Sequence, residues 1–171
     1  MYKEIDGDLI VLGRNGAFDV IGHGCNCFSK MGAGIAPQMA KAFGCDVFEM
    51  ETWGETIEKL GCIDYHTFVL GSNAMWDLYD ADNTEDEPEL TVVNCYTQYK
   101  YGQNHSDGIK KPLDYEALTL CMRKINNIFK GKRIGLPKIG AGLAGGSWAT
   151  IKKIIEAELK DCDVTIVIYN K

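Results

Sequence analysis

Two glycine-rich segments about a hundred residues apart are the part of the sequence best suited to bind a ligand. The first is Met-Gly-Ala-Gly-Ile-Ala at residues 31–36, and the second is Gly-Ala-Gly-Leu-Ala-Gly-Gly at residues 140–146. Each follows an apolar run of strand character and precedes a helix-like segment. Such a junction presents backbone N–H groups at the positive end of a helix, where phosphate binds. Two of them side by side predict a cleft that holds a diphosphate from both flanks.

Several polar side chains near these loops have the chemistry of catalysis. His23 ends a predicted strand beside the first loop, and imidazole transfers protons near neutral pH. Asn26 lies in the same segment, where an asparagine can cap a turn, and the simplest interpretation of Lys100 is a surface lysine. Lys30 and Lys138 add two cations near the loops.

Other ligand-binding patterns fit the sequence poorly. Residues 32–37 contain Gly-x-Gly, but Pro37 stands where a Rossmann fingerprint has its third glycine. The sequence has no P-loop pattern either. Cys25 and Cys27 form a C-x-C pair, with no second pair at zinc-binding spacing. The sequence therefore predicts no metal and no cofactor.

Composition bounds the class of protein. The 171 residues fit one domain, residues 1–171, and the net charge of −6 argues against a general nucleic-acid surface. Seven acids and no base lie within residues 77–89, so the rest is close to neutral and this stretch is predicted to be a solvated loop. Seven scattered cysteines indicate reduced thiols and a cytoplasmic protein. No apolar run is long enough for a membrane span.

Hydrophobic periodicity predicts alternating strands and helices that position the two loops. Strands are predicted at residues 2–12 (or a hairpin arm), 18–23, 65–71, 90–96, 133–136 and 163–169, with a turn at 13–16. Helices are predicted at residues 33–43, ending at Gly44, and at 47–60. A third helix starts at residues 110–112 and buries Leu118, Cys121, Ile125 and Phe129. Ser147 is predicted to cap a fourth, whose inner face holds Trp148, Ile151, Ile155 and Leu159. The fold class is therefore α/β, with three layers around a central mixed sheet.

The order and spacing of its motifs make the sequence resemble the macrodomains. The resemblance covers nearly the whole chain and rests on residues 7–10 (Gly-Asp-Leu-Ile), 19–26, 31–36, 136–148 and 167–170. It is strongest to the branch with the ADP-ribose-1″-phosphate phosphatases and the terminal ADP-ribose glycohydrolases. It implies a three-layer α/β/α macrodomain-like fold and an ADP-ribose ligand.

The resemblance also implies a role for particular residues. Asp8, next to Leu9, would accept a hydrogen bond from the adenine amino group, and Tyr169 or Asn170 would lie beside the ring. Asn26 would face the distal ribose. The diphosphate would be held by the two loops, that is by Met31, Gly32, Ala33, Gly34, Ile35 and Ala36, and by Gly140, Ala141, Gly142, Leu143, Ala144 and Gly145.

The activity implied by the resemblance is hydrolysis of an ADP-ribose derivative, with His23, Asn26 and Lys100 as catalytic candidates. The first choice is an ADP-ribose-1″-phosphate phosphatase. The alternatives are a glycohydrolase that releases ADP-ribose from ADP-ribosylated macromolecules, and a reader module without activity. The phosphatase branch has an aspartate in the second loop where this sequence has Ala144, which removes the expected carboxylate.

Overall fold

The computed structural model describes residues 1–71, 88–102 and 112–170. Six strands form one sheet in the order β1-β6-β5-β2-β4-β3. Their bounds are β1 Tyr2–Asp6, β2 Val20–Asn26, β3 Ile63–Val69, β4 Glu89–Gln98, β5 Arg133–Leu136 and β6 Asp163–Ile168. The first five strands in this order are parallel to one another, and β3 pairs antiparallel with β4 at the edge. The predicted α/β class with a mixed sheet is confirmed.

Among the described residues, four helices cover the two faces of the sheet: α1 Leu9–Arg14, α2 Ala36–Phe43, α3 Tyr115–Ile128 and α4 Trp148–Glu158. Adjacent strand residues face opposite layers, so Val20 packs in one core and Ile21 in the other. The first core holds the inner faces of α3 and α4, including Leu118 and Ile151. The second holds those of α1 and α2, including Met39. This arrangement gives the three predicted layers.

The predicted ends of several elements agree with the structure. Strand β5 has the predicted bounds, and α2 ends at Gly44, which adopts the left-handed conformation (φ 62°). Helix α3 begins later than predicted, because the Asp114 carboxylate accepts a hydrogen bond from the N–H of Ala117. Residues 110 and 111 lie outside the described residues. Ser147 is the N-cap of α4, but its side chain makes no capping hydrogen bond.

Two predicted elements are wrong. The strand predicted at residues 2–12 ends at Asp6, because Asp8 caps helix α1 through its Oδ1, which accepts from the N–H groups of Ile10 (2.9 Å) and Val11 (3.1 Å). The helix predicted at 47–60 is instead three 3₁₀ turns, at Cys45–Val47, Glu49–Trp53 and Ile57–Lys59. Gly54 interrupts this segment with φ 69° and ψ −150°, a conformation that favours glycine.

Other expectations concern the chain's chemistry rather than its fold. All seven cysteines are free thiols, and six of them are buried. Within residues 1–71, 88–102 and 112–170, no cluster of His, Cys, Asp and Glu is placed to hold a metal ion, and no helix is long and apolar enough to cross a bilayer. The acidic segment 77–89 lies outside the described residues, apart from Pro88 and Glu89.

Candidate functional site

A cavity of about 960 Å³ opens at the carboxyl ends of the parallel strands. In open α/β sheets this edge is where ligands bind. The loops that follow β2, β4 and β5 surround the cavity, so the two glycine-rich segments lie on opposite sides of it. Its walls comprise Gly24, Cys25, Asn26, Ser29, Lys30, Met31, Gly32, Ala33, Gly34, Ile35, Ala36, Thr97, Gln98, Tyr101, Gly102, Pro137, Lys138, Ile139, Gly140, Gly142, Leu143 and Ala144.

The first loop, residues 31–36, is preceded by a tight turn at residues 26–30, which is held by the side chain of Asn26. Its Oδ1 accepts hydrogen bonds from the N–H groups of Phe28 (3.0 Å) and Lys30 (3.3 Å). Its Nδ2 donates to the carbonyl of Lys30 (2.7 Å). Asn26 therefore lines the cavity where the sequence predicts it, and most of its hydrogen-bonding capacity shapes the loop.

The first loop then leads into helix α2 without a side-chain cap. The N-cap residue is Ile35, which has no hydrogen-bonding side chain, and Pro37 lies in the first turn. Gly34 adopts φ 66°, and a Cβ there would meet nothing within 4 Å. Open space in front of an uncapped helix start leaves room for an anion. The predicted phosphate-binding loop therefore leads into a helix start whose first N–H groups have no side-chain cap.

The second loop divides its amides between internal bonds and the cavity. The N–H groups of Ala141, Gly145 and Gly146 donate within the loop, to the carbonyls of residues 138, 142 and 140. The lining residues Gly142, Leu143 and Ala144 donate to no protein acceptor in the part of the chain that is described. Three successive lining residues therefore have N–H groups without a protein acceptor among the described residues. Of the residues predicted to bind the ligand from this loop, Ala141 and Gly145 do not line the cavity, and their N–H groups donate within the loop.

Close packing against Leu113 fixes the shape of the second loop. Gly140 has φ 73°, and a Cβ at this position would lie 2.8 Å from Cδ1 of Leu113. A Cβ at Gly146 would also overlap the Leu113 side chain. In turn, the N–H of Leu113 donates to the carbonyl of Ala144 (3.2 Å). These two glycines are required by the packing behind the loop.

The charges at the cavity favour an anionic ligand. Two lysines, Lys30 and Lys138, line it, and none of its lining residues in the described chain is an aspartate or glutamate. The Lys138 ammonium also lies 5.7 Å from the ring centre of Trp148, which favours a position near the second loop. Ala144, where a carboxylate was expected, is buried in the cavity wall.

His23 lies in the core beneath the cavity and does not line it. Its side chain is completely buried, and its Nε2 lies 2.8 Å from Oδ1 of Asn94. Burial lowers the pKa of His23 from 6.5 to about 4, although the Asn94 hydrogen bond opposes the shift. A neutral, enclosed imidazole is out of reach of a ligand in the cavity, so this placement argues against the predicted catalytic role.

The other residues predicted for the site do not line the cavity. Lys100 is half-buried and does not line it; its carbonyl accepts a hydrogen bond from Nε2 of Gln98 (2.7 Å). Asp8 and Leu9 follow β1, and Tyr169 and Asn170 follow β6, so they lie at the same edge of the sheet but outside the cavity walls.

The contacts of Asp8, Leu9, Tyr169 and Asn170 differ from one residue to the next. Leu9 is buried in a core, whereas the Tyr169 side chain is 60% exposed. Asn170 donates from Nδ2 to Oδ1 of Asp6 (2.7 Å), which ties the end of β6 to β1. Asp8 uses Oδ1 as the helix cap, and its Oδ2 has no partner among the described residues.

The sequence analysis missed nine lining residues, which lie on β2 and β4 and on the segments that follow β2, β4 and β5. They are Gly24, Cys25, Ser29, Thr97, Gln98, Tyr101, Gly102, Pro137 and Ile139. The hydroxyl of Thr97 is buried and has no hydrogen-bond partner among the described residues, so a polar atom beside the cavity has unused hydrogen-bonding capacity. The sequence does contain one pattern that could have indicated these residues, namely the polar pair Thr97-Gln98 at the carboxyl end of an apolar strand.

Comparison with known proteins finds a relative by sequence and a shared fold among solved structures. No protein-family model matches the chain. The chain is 31% identical over 175 residues to a 17.5 kDa protein of Enterobacteria phage T4, encoded in the tk-vs intergenic region and itself uncharacterized. The alignment covers 98% of this chain and 96% of the phage protein.

Solved structures share the fold. The macrodomain of Thermus aquaticus DarG superposes with a TM-score of 0.62 at 19% identity, covering 100% of this chain and 99% of that one. Thermosipho africanus DarTG, solved in complex with ADP-ribose, gives a TM-score of 0.64 at 17% identity, covering 97% of this chain and 40% of that one.

Proposed function

The chain belongs to the family of the phage T4 17.5 kDa protein and is a macrodomain by fold, and from this we propose that it binds ADP-ribose in the cavity between the two loops. The observation that carries the proposal is the pair of amide-bearing loops on opposite sides of one cavity without an acidic lining residue. A volume of about 960 Å³ suits a ligand the size of a dinucleotide. The ADP-ribose bound to the DarTG relative supports the same ligand class.

The diphosphate is expected at the centre of the cavity, between β2 and β5. Backbone N–H groups of residues 33–36 in the first loop and of residues 142–144 in the second are expected to donate to it, because these residues line the cavity. Amides and a helix start bind phosphate without requiring a basic patch, and Lys30 and Lys138 add long-range attraction. Because β2 and β5 are adjacent and parallel, their loops hold the ligand from two sides.

Strand order predicts how the rest of the ligand lies along the sheet edge. Beyond β5 come the ends of β6 and β1, which carry Tyr169 and Asp8, so the adenine is expected there. In the opposite direction, the ends of β2 and β4 carry Asn26, Thr97 and Gln98, so the distal ribose is expected beside these polar groups. The diphosphate and distal ribose are therefore expected inside the cavity, and the adenine is expected to extend beyond it to the ends of β6 and β1.

Calorimetric titration tests the binding proposal. ADP-ribose should bind with measurable heat, ADP more weakly because it lacks the distal ribose, and AMP more weakly still because it lacks one phosphate. A ranking in this order supports contacts at both loops and at the distal end. Absence of ADP-ribose binding at millimolar concentrations would overturn the proposal.

A second candidate function is hydrolysis of ADP-ribose-1″-phosphate. The distal end supports it, because Ser29, Gln98 and Lys30 line this part of the cavity with neutral or positive groups that tolerate a third phosphate. Water would attack the phosphorus, the P–O bond to C1″ would break, and inorganic phosphate and ADP-ribose would leave. Donors aimed at the developing charge can supply much of the rate.

A glycohydrolase has less support from the geometry than a phosphatase. Cleavage at the anomeric carbon usually relies on a carboxyl group. The described lining residues include none, and Lys100 does not line the cavity. Incubation with ADP-ribose-1″-phosphate and with an ADP-ribosylated protein separates the candidates, by release of phosphate in the first case and of ADP-ribose in the second. If neither substrate reacts and ADP-ribose still binds, the protein is a reader module.

A further inference from the structure

Lys59 is a charged residue in an unusual place, completely buried beneath the turn 26–30. Its ammonium donates to the hydroxyl oxygen of Ser29 (2.6 Å) and lies 5.3 Å from the ring centre of Tyr96. Ser29 lines the cavity. One hydrogen bond therefore links a buried cation to the wall of the site.

Ser29 is held on two sides. Its hydroxyl accepts the Lys59 hydrogen bond and donates to the backbone carbonyl of Glu51 (2.8 Å). Ser29 also has φ 55°, the one positive φ of a residue other than glycine in the described chain. A serine seldom adopts this conformation unless its surroundings impose it. The Lys59 ammonium and the Glu51 carbonyl hold the hydroxyl of Ser29, in addition to the Asn26 side chain, which closes the turn around it.

The carboxylate of Glu51 completes this buried network. Its Oε1 accepts from the hydroxyl of Tyr96 (2.7 Å), while its Oε2 is buried without a hydrogen-bond partner. Burial raises the pKa of Glu51, and the nearby Lys59 opposes the shift. Such a network is a poor source of stability, because an apolar side chain of similar volume avoids the desolvation of the ammonium.

We propose that Lys59 is a positioning residue for the binding site, which holds Ser29 and the turn 26–30 in the shape that receives the distal half of the ligand. This inference rests on the proposed ADP-ribose binding. In this role the ammonium never touches the ligand. It fixes the hydroxyl of Ser29, and with it the turn that also contains Asn26 and Lys30.

The test compares Lys59→Met with Lys124→Met. The Lys124 ammonium is also partly buried and donates to a backbone carbonyl, that of Gly61 (2.7 Å), but Lys124 does not line the cavity and has no hydrogen bond to the turn 26–30 among the described residues. ADP-ribose and ADP are titrated against both variants and the unchanged protein. ADP probes the diphosphate site alone, whereas ADP-ribose also probes the distal end.

Lys59→Met should weaken ADP-ribose binding about tenfold and ADP binding less, because the turn lines the distal end of the cavity directly, whereas the diphosphate is expected at residues 33–36 beyond it. Lys124→Met should leave the ratio of the two affinities unchanged while lowering the melting temperature. An unchanged ratio in Lys59→Met, whatever its melting temperature, would overturn the proposal. A failure of the unchanged protein to bind ADP-ribose would instead overturn the proposed function.

Ser29→Ala provides a second route if Lys59→Met does not fold. It removes the hydroxyl and leaves the ammonium in place. The ratio of the affinity for ADP-ribose to the affinity for ADP should therefore fall to a similar extent. In the double variant the two losses should not add, because both act through one hydrogen bond. A Ser29→Ala protein with an unchanged ratio would also overturn the proposal.

Discussion

The Nε2 atom of His23 lies 2.8 Å from Oδ1 of Asn94, its partner on the neighbouring strand β4. The Asn94 amide in turn donates from Nδ2 to the carbonyl of Cys45 (2.8 Å). With its amide nitrogen engaged as a donor, Asn94 presents its oxygen to the imidazole, so Nε2 carries the hydrogen. The pair joins two central strands to the first 3₁₀ turn, which gives a buried histidine a structural role.

His23 should make the protein less stable in mild acid. The folded protein has a His23 pKa of about 4 and the unfolded chain one near 6.5, so between these values the unfolded chain binds the extra proton. The free energy of unfolding should therefore fall as the pH drops, by about 2 kcal/mol between pH 7 and pH 5. Denaturant unfolding of the wild type and of His23→Gln at both pH values measures the difference. Equal losses in the two proteins would contradict the assignment.

Gly142→Glu should abolish or greatly weaken ADP-ribose binding. Gly142 lines the cavity, and a Cβ there meets nothing within 4 Å, so the fold should tolerate the side chain. The new carboxylate would face the diphosphate, and we expect the affinity to fall by about tenfold or more. Ala149→Glu adds the same charge at an exposed position on α4, and titration should find its affinity unchanged. Equal effects of the two variants would show that only net charge matters.

Asp8→Asn should relax the preference for adenine while preserving the fold. Asparagine caps a helix as well as aspartate does, so α1 should remain stable. Its Nδ2 is a donor, however, and would oppose the adenine amino group that the Oδ2 of Asp8 is proposed to bind. Affinities for ADP-ribose and for its hypoxanthine analogue should converge, from a difference of about tenfold. Asp114→Asn, at the N-cap of α3, should retain the wild-type preference.

Gly135→Ala should destabilise the fold without any change in the site. A Cβ at this position in β5 would lie 2.6 Å from Cδ2 of the buried Phe18 ring. Overpacking of this kind costs about 2 kcal/mol of the free energy of unfolding. Gly142→Ala, where the Cβ is in open space, should cost far less. Thermal and denaturant unfolding of the two variants compare the effects, and equal stabilities would contradict the packing argument.

The sequence carries most of the information about the sheet and the loops. Periodicity locates β5 and the inner faces of α3 and α4, since burial repeats along an element with a fixed period. The segment 2–12 misleads because Leu-Ile-Val-Leu has strand propensity, and the cap at Asp8 decides the outcome only locally. Residues 47–60 mislead because their helical spacing is interrupted by the backbone of Gly54.

The site is only partly predictable, for a different physical reason. Glycine loops are local patterns, so both sides of the cavity are recognised from the sequence. The burial of His23, the buried Lys59 and the lining residue Thr97 depend on contacts between distant segments, such as Lys59 with Ser29. No local spacing indicates which polar side chains will be enclosed by other parts of the chain.

The parallel pairing of β1 with β6 has a practical consequence for measuring any of these affinities. Met1 lies at the amino edge of the sheet, where its side chain is exposed, whereas Tyr169 and Asn170 lie at the edge that carries the cavity. A fluorophore or a surface tether attached beside residue 170 would stand next to the expected adenine position. Immobilisation through the first residue should leave the opening unobstructed, and the two orientations should report different apparent affinities on a sensor surface.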